Sequence, residues 1–298
     1  ELKSDLSQED IRSLIRDAWK DLGADAKAPP VNGWPVAVFS HSLTGWRHVN
    51  SSLCAELASH GAVVIHMEHA DGTACLCTSS EDGRVLAEYV DWAREKTDEL
   101  KQTTDDVGAA LEAWRRAQVN QRVVEIASAL DGLETVVGRV HRGSGAFART
   151  SSNVAVLGQS FGGAAAVACC ARDARFSHCC IYDPWLDGVG PHRHPLPDAD
   201  YQGKFSPSLK RLALWSCGAS PLQESCGANW DSILAKAGTV AVRHHEENAG
   251  HFAQTDAPVV FEKGPLSSIY TALVSKADQS SDSETLLKRY LEQTVAEL

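Results

Sequence analysis

Apolar positions along the chain fall into two alternating rhythms. Short runs at residues 35–40 (PVAVFS), 62–67 (AVVIHM), 153–157 (NVAVL), 177–182, 210–216 (KRLALWS) and 239–244 (TVAVRH) are apolar almost throughout. That is the pattern of strands buried on both faces of a parallel sheet. Between them the spacing turns helical, over residues 48–59, from Val85 onward, from Asp105 to about Val140, over 161–171, near 229–236 and in the closing SDSETLLKRYLEQTVAEL. In the long stretch Val123, Ile126, Leu130, Leu133, Val137 and Val140 recur three or four apart. It is too short for a sustained coiled coil and reads as a helix lying across a sheet.

Before the first strand, Ser7 and Asp10 form a capping-box-like helix start, with Glu9 in the first turn. Ile11, Leu14, Ile15, Ala18 and Leu22 follow at helical spacing beside Trp19. This stripe predicts packing against the protein body, with docking on a lipid surface as the alternative. Residues 1–33 therefore read as an amino-terminal helix and linker, closed by Pro29-Pro30 and Asn32-Gly33. Strand and helix alternate over the rest without a repeat or a low-complexity linker. The expected fold is α/β, one domain over 1–298, with a mostly parallel central sheet and helices on both faces. Two loops stand out, 141–152 (HRGSGAFARTSS) and the proline- and aspartate-rich 188–203, the latter too long for a plain connection.

Composition narrows the partners. The net charge of −11 supplies no basic stripe for nucleic acid, and it disfavours anionic membranes as an electrostatic partner. No apolar run is long enough to span a bilayer; the longest candidate, 154–170, is broken by Gly158, Gln159, Gly162 and Gly163. Nine cysteines include no C-x-x-C pair, so a zinc site is not expected. The adjacent pairs Cys169-Cys170 and Cys179-Cys180, on a helix and a strand expected to be buried, suit small core residues, which favours a reducing compartment. We therefore expect a cytoplasmic or peripherally membrane-associated protein, with secretion as the alternative because the amino terminus gives no guidance. The Asn50-Ser51-Ser52 sequon matters only in the secreted case.

The candidate chemistry centres on VLGQSFGGAAAV, residues 156–167. A strand precedes Ser160 and a helix follows it, so Gly158-Gln159-Ser160-Phe161-Gly162 has the context of a nucleophile turn. No Gly-Lys-Ser/Thr follows, which removes a phosphate loop. A serine needs a histidine to take its proton and an acid to orient that histidine. His244, His245 and His251 are the candidates in VRHHEENAGHFAQ; the first two end a strand, and His251 lies beyond it and is chosen. Ala249 stands where HExxH needs a second histidine, so the cluster is not a zinc motif. For the acid, Asp183 and Glu224 both follow strands, Asp183 modestly ahead on spacing, and Asp187 and Asp198 are looser alternatives. The backbone N–H groups of Phe161 and Leu43 are placed to hold an oxyanion. The order Ser, Asp, His is that of an α/β-hydrolase.

Several segments together resemble the calcium-independent platelet-activating factor acetylhydrolases, the plasma and type II intracellular enzymes. VFSHSLTGWR is similar to that family's VFSHGLGAFR-like segment, and LASHGAVVIHMEHADGTA to its LASHGFIV…EHRD-like segment. VLGQSFGGAAAV resembles its GHSFGG elbow, VNQRVVEIASAL the long helix before it, IYDPW its acid strand, and GHFAQ its histidine loop. The likeness runs from about Val36 to the carboxyl terminus. It implies an α/β-hydrolase fold with Ser160 as nucleophile, Asp183 rather than Glu224 as acid, His251 as base, and Leu43 and Phe161 as oxyanion donors. It further implies a phospholipid or other small lipid ester as substrate, its aromatic surroundings being Trp46, Trp185 and Phe252, with no cofactor and no metal. A broad carboxylesterase or cutinase-like hydrolase, or a non-catalytic lipid-binding protein, is the competing reading. Gln159 replaces the elbow histidine, and Ser42 and Thr44 replace glycines beside the oxyanion loop, departures that bear on acyl-chain preference. Fewer residues precede the first strand than in family members, which carry additional strands there.

Overall fold

A computed structural model of the chain describes residues 34–79, 81–140, 154–186, 205–256, 258 and 283–298. The expected amino-terminal helix, the loops at 141–152 and 188–203, Asp187 and Asp198 lie outside the described residues.

Six strands form one sheet: β1 (Val36–Ser40), β2 (Val63–His66), β5 (Val154–Gln159), β6 (Phe176–Tyr182), β7 (Arg211–Cys217) and β8 (Ala241–Glu246). Their spatial order is β2-β1-β5-β6-β7-β8, and every neighbouring pair runs parallel. Each strand divides its apolar residues between two cores by simple alternation. Val36, Val38, Val154, Val156, Cys179, Ile181, Leu212 and Leu214 face one layer, with Ile126, Val167 and Trp230. Ala37, Phe39, Ala155, Leu157, Cys180, Tyr182, Ala213 and Trp215 face the other, with Leu53, Leu57 and Tyr290. This is why the strands read as unbroken apolar runs.

The helices are α1 (Ser51–Ser59), α2 (Thr97–Lys101) after a π-helical turn at Trp92–Lys96, α3 (Val107–Val140), α4 (Phe161–Arg172), α5 (Leu222–Ala237) and α6 (Ser283–Glu297). Helices α3, α4 and α5 cover the first face, and α1 and α6 the second. The buried cysteines are free thiols, as their core placement predicts.

One expectation is corrected. Residues from Val85 are not helical at first: β3 (Leu76–Thr78) and β4 (Val85–Glu88) form an antiparallel hairpin. The chain reverses between them near Asp82-Gly83, with Gly83 at φ +71°, a turn signal that outweighs the apolar spacing after it. Helix α5 also begins earlier than expected, and it takes Glu224 into its first turn.

The chain leaves β1 toward β2 on one side and later returns to place β5 on the other. The carboxyl ends of β1 and β5 thus flank the point where the winding reverses, where open parallel sheets hold their ligands. The Ser40–Gly45 loop and Ser160 emerge there side by side, Ser40 being the register partner of Gly158.

Candidate active site

The turn at Ser160 is shaped by its neighbours. Ser160 sits at φ 55°, ψ −118° between β5 and α4. A Cβ on Gly158 would come within 2.1 Å of the Gly162 carbonyl oxygen, and one on Gly162 within 2.0 Å of the Ser40 carbonyl oxygen. Both must be glycine for the helix to start this close to the sheet and to the β1 loop. Ser160 N–H donates to Tyr182 O at 3.0 Å, while Ser160 O accepts from Gly163 N–H and Trp185 N–H, each at 2.9 Å. Phe161 N–H opens α4 and therefore has no intrahelical acceptor.

Asp183 follows β6 and is fully buried. Its Oδ1 accepts Cys217 N–H at 3.2 Å, and its Oδ2 accepts Ser220 Oγ–H at 2.5 Å and His251 Nδ1–H at 2.5 Å. With Nδ1 engaged on the carboxylate, His251 keeps Nε2 as its basic nitrogen. The histidine itself lies on an irregular turn after β8, its ring edge-on to Phe252 with centroids 5.2 Å apart. Its carbonyl accepts from Gln254 Nε2 at 2.8 Å and Gln159 Nε2 at 3.2 Å.

The structure therefore brings Asp183 and His251 together and leaves Glu224 exposed on the first turn of α5. His244 and His245 lie on β8, where His244 stacks on Trp215 at 4.8 Å and His245 pairs with Ser216. No hydrogen bond closes between Ser160 and His251 among the described residues; Gln159 Nε2 stands 3.5 Å from His251 Nε2. In unliganded sites of this type the bond to the nucleophile is commonly long and tightens with substrate.

Strain marks the same place. Among the described residues, Thr44 (φ 56°), Ser160 and Asp183 (φ 41°) are the non-glycine residues at positive φ. Such conformations cost on the order of 1–3 kcal/mol each and persist only where the surroundings over-determine them. Of the aromatic residues expected near substrate, Trp185 lies 6.1 Å from the Phe161 ring, Phe252 abuts His251, and Trp46 is half-buried just past the β1 loop.

The family described as platelet-activating factor acetylhydrolase, isoform II, matches residues 11–197, more than half the chain. The chain belongs to this family. It is 28% identical over 171 residues to a platelet-activating factor acetylhydrolase of Cavia porcellus, 54% of this chain and 37% of that protein. The corresponding protein of Canis lupus familiaris is 31% identical over 180 residues, 56% of this chain and 37% of its own length. A putative phospholipase A2 of Schizosaccharomyces pombe is 55% identical over 51 residues, 17% of this chain and 12% of that one. The chain thus spans well under half the length of these relatives. A ferulic acid esterase from Streptomyces cinnamoneus shares the fold, with a TM-score of 0.53 at 19% identity over 91% of this chain and 67% of that one.

Within this family frame, the residues that sequence reasoning missed lie beneath the β1 loop. Arg122 of α3 is fully buried and paired with Asp71 at 2.8 Å. It also donates to His41 O at 2.6 Å, to Ser40 Oγ at 3.1 Å and to Thr73 Oγ1. Burial pushes the Asp71 carboxyl up, but the Arg122 charge wins and holds it below the usual carboxylate range. His41 and His69 are buried, and burial followed by the Arg122 charge holds both well below the usual histidine range, so they are neutral. Arg115 is buried over the Trp114, Phe161 and Trp185 rings at 4.5, 5.4 and 5.6 Å. Burial lowers it to about 10, which leaves it charged at neutral pH.

Gln159 reaches the same turn: its side chain is fully buried and its Nε2 donates to the His251 carbonyl at 3.2 Å, while among the described residues its Oε1 has no hydrogen-bond partner. Asn50 of the sequon is buried and donates to Gln254 O at 3.2 Å, which leaves no room for a glycan in the folded chain.

Proposed function

We propose that this chain is a serine esterase that removes a short or oxidised sn-2 acyl group from a phospholipid. Ser160 Oγ attacks the ester carbonyl carbon while His251 Nε2 takes the hydroxyl proton. Asp183 keeps Nδ1–H oriented and stabilises the imidazolium that forms. The oxygen of the tetrahedral intermediate gains negative charge, which Leu43 N–H and Phe161 N–H are suited to hold. Collapse breaks the bond to the lysophospholipid oxygen, and His251 returns the proton to it. Water, deprotonated by His251, then releases the acyl group from Ser160 as an acid.

One observation carries the reading: the hydrogen-bonded Asp183–His251 pair adjoins a serine held at positive φ on a glycine-bounded turn. Family membership supports the phospholipid ester as substrate class. Trp46, Trp185 and Phe252 are proposed to contact it, and contact with a membrane surface would deliver it. No helix among the described residues is long and apolar enough to cross a membrane.

The test is hydrolysis in the presence of a calcium chelator, comparing 2-acetyl and long-chain phosphatidylcholine with a simple short-chain ester. The 2-acetyl phospholipid is expected to turn over fastest. Preference for the simple ester over both phospholipids would favour a broad carboxylesterase instead.

A further inference from the structure

Beneath the β1 loop, Ser40, His69 and Glu125 repeat the spacing of a second nucleophile, base and acid. Ser40 Oγ is 2.8 Å from His69 Nε2, and His69 Nδ1 is 2.6 Å from Glu125 Oε2. This set has no room for an ester, because Ser40 and His69 are fully buried and Ser40 Oγ already accepts from Arg122. Its hydrogen bonds run in one direction. Arg122 donates to Ser40, Ser40 to His69, and His69 to a Glu125 carboxylate that also accepts Gln121 Nε2 and Ala70 N–H. A chain of hydrogen bonds that runs from buried Arg122, Ser40 and His69 to a half-buried carboxylate rigidifies what it touches.

What it touches is the loop of the proposed oxyanion donor, on both sides of Leu43. Arg122 holds Ser40 and the His41 carbonyl. His41 Nδ1–H donates to Ser42 O at 2.7 Å, and His69 N–H donates to His41 Nε2 at 3.2 Å. Thr44 N–H donates to Thr73 O at 2.8 Å, and Thr73 Oγ1 bridges Asp71 and Arg122. Gly45 N–H closes back on Ser42 O at 3.2 Å. Among the described residues none of these bonds uses Leu43 N–H. The same guanidinium lies 4.8 Å from the centre of the Phe161 ring, on the residue that supplies the other donor.

We infer that Arg122 is a positioning residue that fixes the two oxyanion donors, Leu43 N–H and Phe161 N–H, relative to one another. The inference rests on the esterase reading above. Its charge is neutralised by Asp71, so the planar fork matters more than the net charge: one guanidinium reaches four acceptors that a lysine ammonium cannot span. Arg122 does not touch substrate and acts through the loop it holds.

The experiment compares wild type, Arg122→Lys and Thr73→Val for 2-acetyl phosphatidylcholine turnover, its pH profile, and affinity for a trifluoromethyl ketone that adds to Ser160. A folded Arg122→Lys should lose kcat about 10- to 100-fold with KM within about twofold. Ketone affinity should fall in step with kcat/KM, because the hemiketal oxyanion needs the same donors. The acid limb of the pH profile should stay in place, since His251 is untouched. Thr73→Val removes only the hydroxyl bridge and is expected to lose kcat about three- to tenfold, which keeps the test open if Arg122→Lys does not fold. A folded variant with wild-type kcat, or a loss tracked by an equal shift of the acid limb, overturns the inference. A wild-type chain that neither turns over ester nor takes a fluorophosphonate on Ser160 overturns the esterase reading itself, and this one with it.

Discussion

The loop that carries Leu43 is held by the fork of a buried, neutralised ion pair, whereas the turn that carries His251 is held by one carboxylate and neutral amides. On the donor side a buried guanidinium, a buried carboxylate and two neutral histidines surround Ser40 to Gly45. On the base side His251 relies on Asp183, with Gln159 and Gln254 on its carbonyl and Asn50 behind Gln254. The difference follows from the work each side is proposed to do. Oxyanion donors never change charge, so an ion pair can lock them without interfering with a proton. A general base must gain and lose a proton in every cycle, so the charge beside it is the single carboxylate suited to stabilise an imidazolium, and its other supports are neutral amides.

The comparison can be broken on the base side first. Ser160→Ala should lose about 10⁴-fold or more in turnover, and Asp183→Asn about 10³- to 10⁴-fold, with little change in denaturant midpoint. Glu224→Gln, at an exposed helix position, should turn over within about twofold of wild type; the reverse ranking of the two acids would redraw the site. The donor side should fail in the opposite way. Asp71→Asn leaves Arg122 buried without its countercharge and should cost about 3–5 kcal/mol in a denaturation experiment. A change under about 1 kcal/mol would mean that the network is not what holds the loop.

Gln159→Leu sharpens the contrast from the other direction. It should lower kcat by about tenfold or less and leave chain-length preference unchanged, because the amide's contact is with the His251 carbonyl. The pH dependence of stability reports the donor side together with His66 and His178, which burial also holds below the usual histidine range. His41 and His69 are held neutral when folded and regain an ordinary affinity for protons on unfolding. Their contribution is therefore complete above about pH 6.5 and lost as pH falls below it toward their depressed folded values, by up to about 1.4 kcal/mol per pH unit for each. Denaturant melts between pH 8 and 5 measure this slope. The smallest effect is expected at Thr44, where the family pattern has glycine and the backbone is at φ 56°. Thr44→Gly should relieve left-handed strain and raise stability by about 1 kcal/mol or less.

Much of the sheet was legible because buried parallel strands announce themselves as apolar runs, and β1, β5, β6 and β7 lie within a residue or two of expectation. The hairpin at Leu76–Thr78 and Val85–Glu88 was not, since its exposed Leu76, Val85 and Leu86 carry no face pattern and only Asp82-Gly83 marks the turn. Arg122 was hidden for a related reason. An arginine on a long helix reads as a solvated charge, and nothing local says that its face is the buried one. A closer weighing of Asp71, within a segment already singled out, could have prompted a search for its countercharge.

By itself the sequence determined what is local: the strained Gly-x-Ser-x-Gly turn, the order of Ser160, Asp183 and His251 along the chain, and the alternation that builds the sheet. These depend on backbone sterics and on spacing over a few residues, which the chain carries wherever it goes. The tertiary structure decided what depends on distance through space. It placed Asp183 rather than Glu224 on His251, set Gln159 against that histidine, and brought Arg122 under a loop about eighty residues earlier in the chain. A buried charge can be recognised as structural only once its partners and its burial are known together, and both arise when the helix meets the sheet.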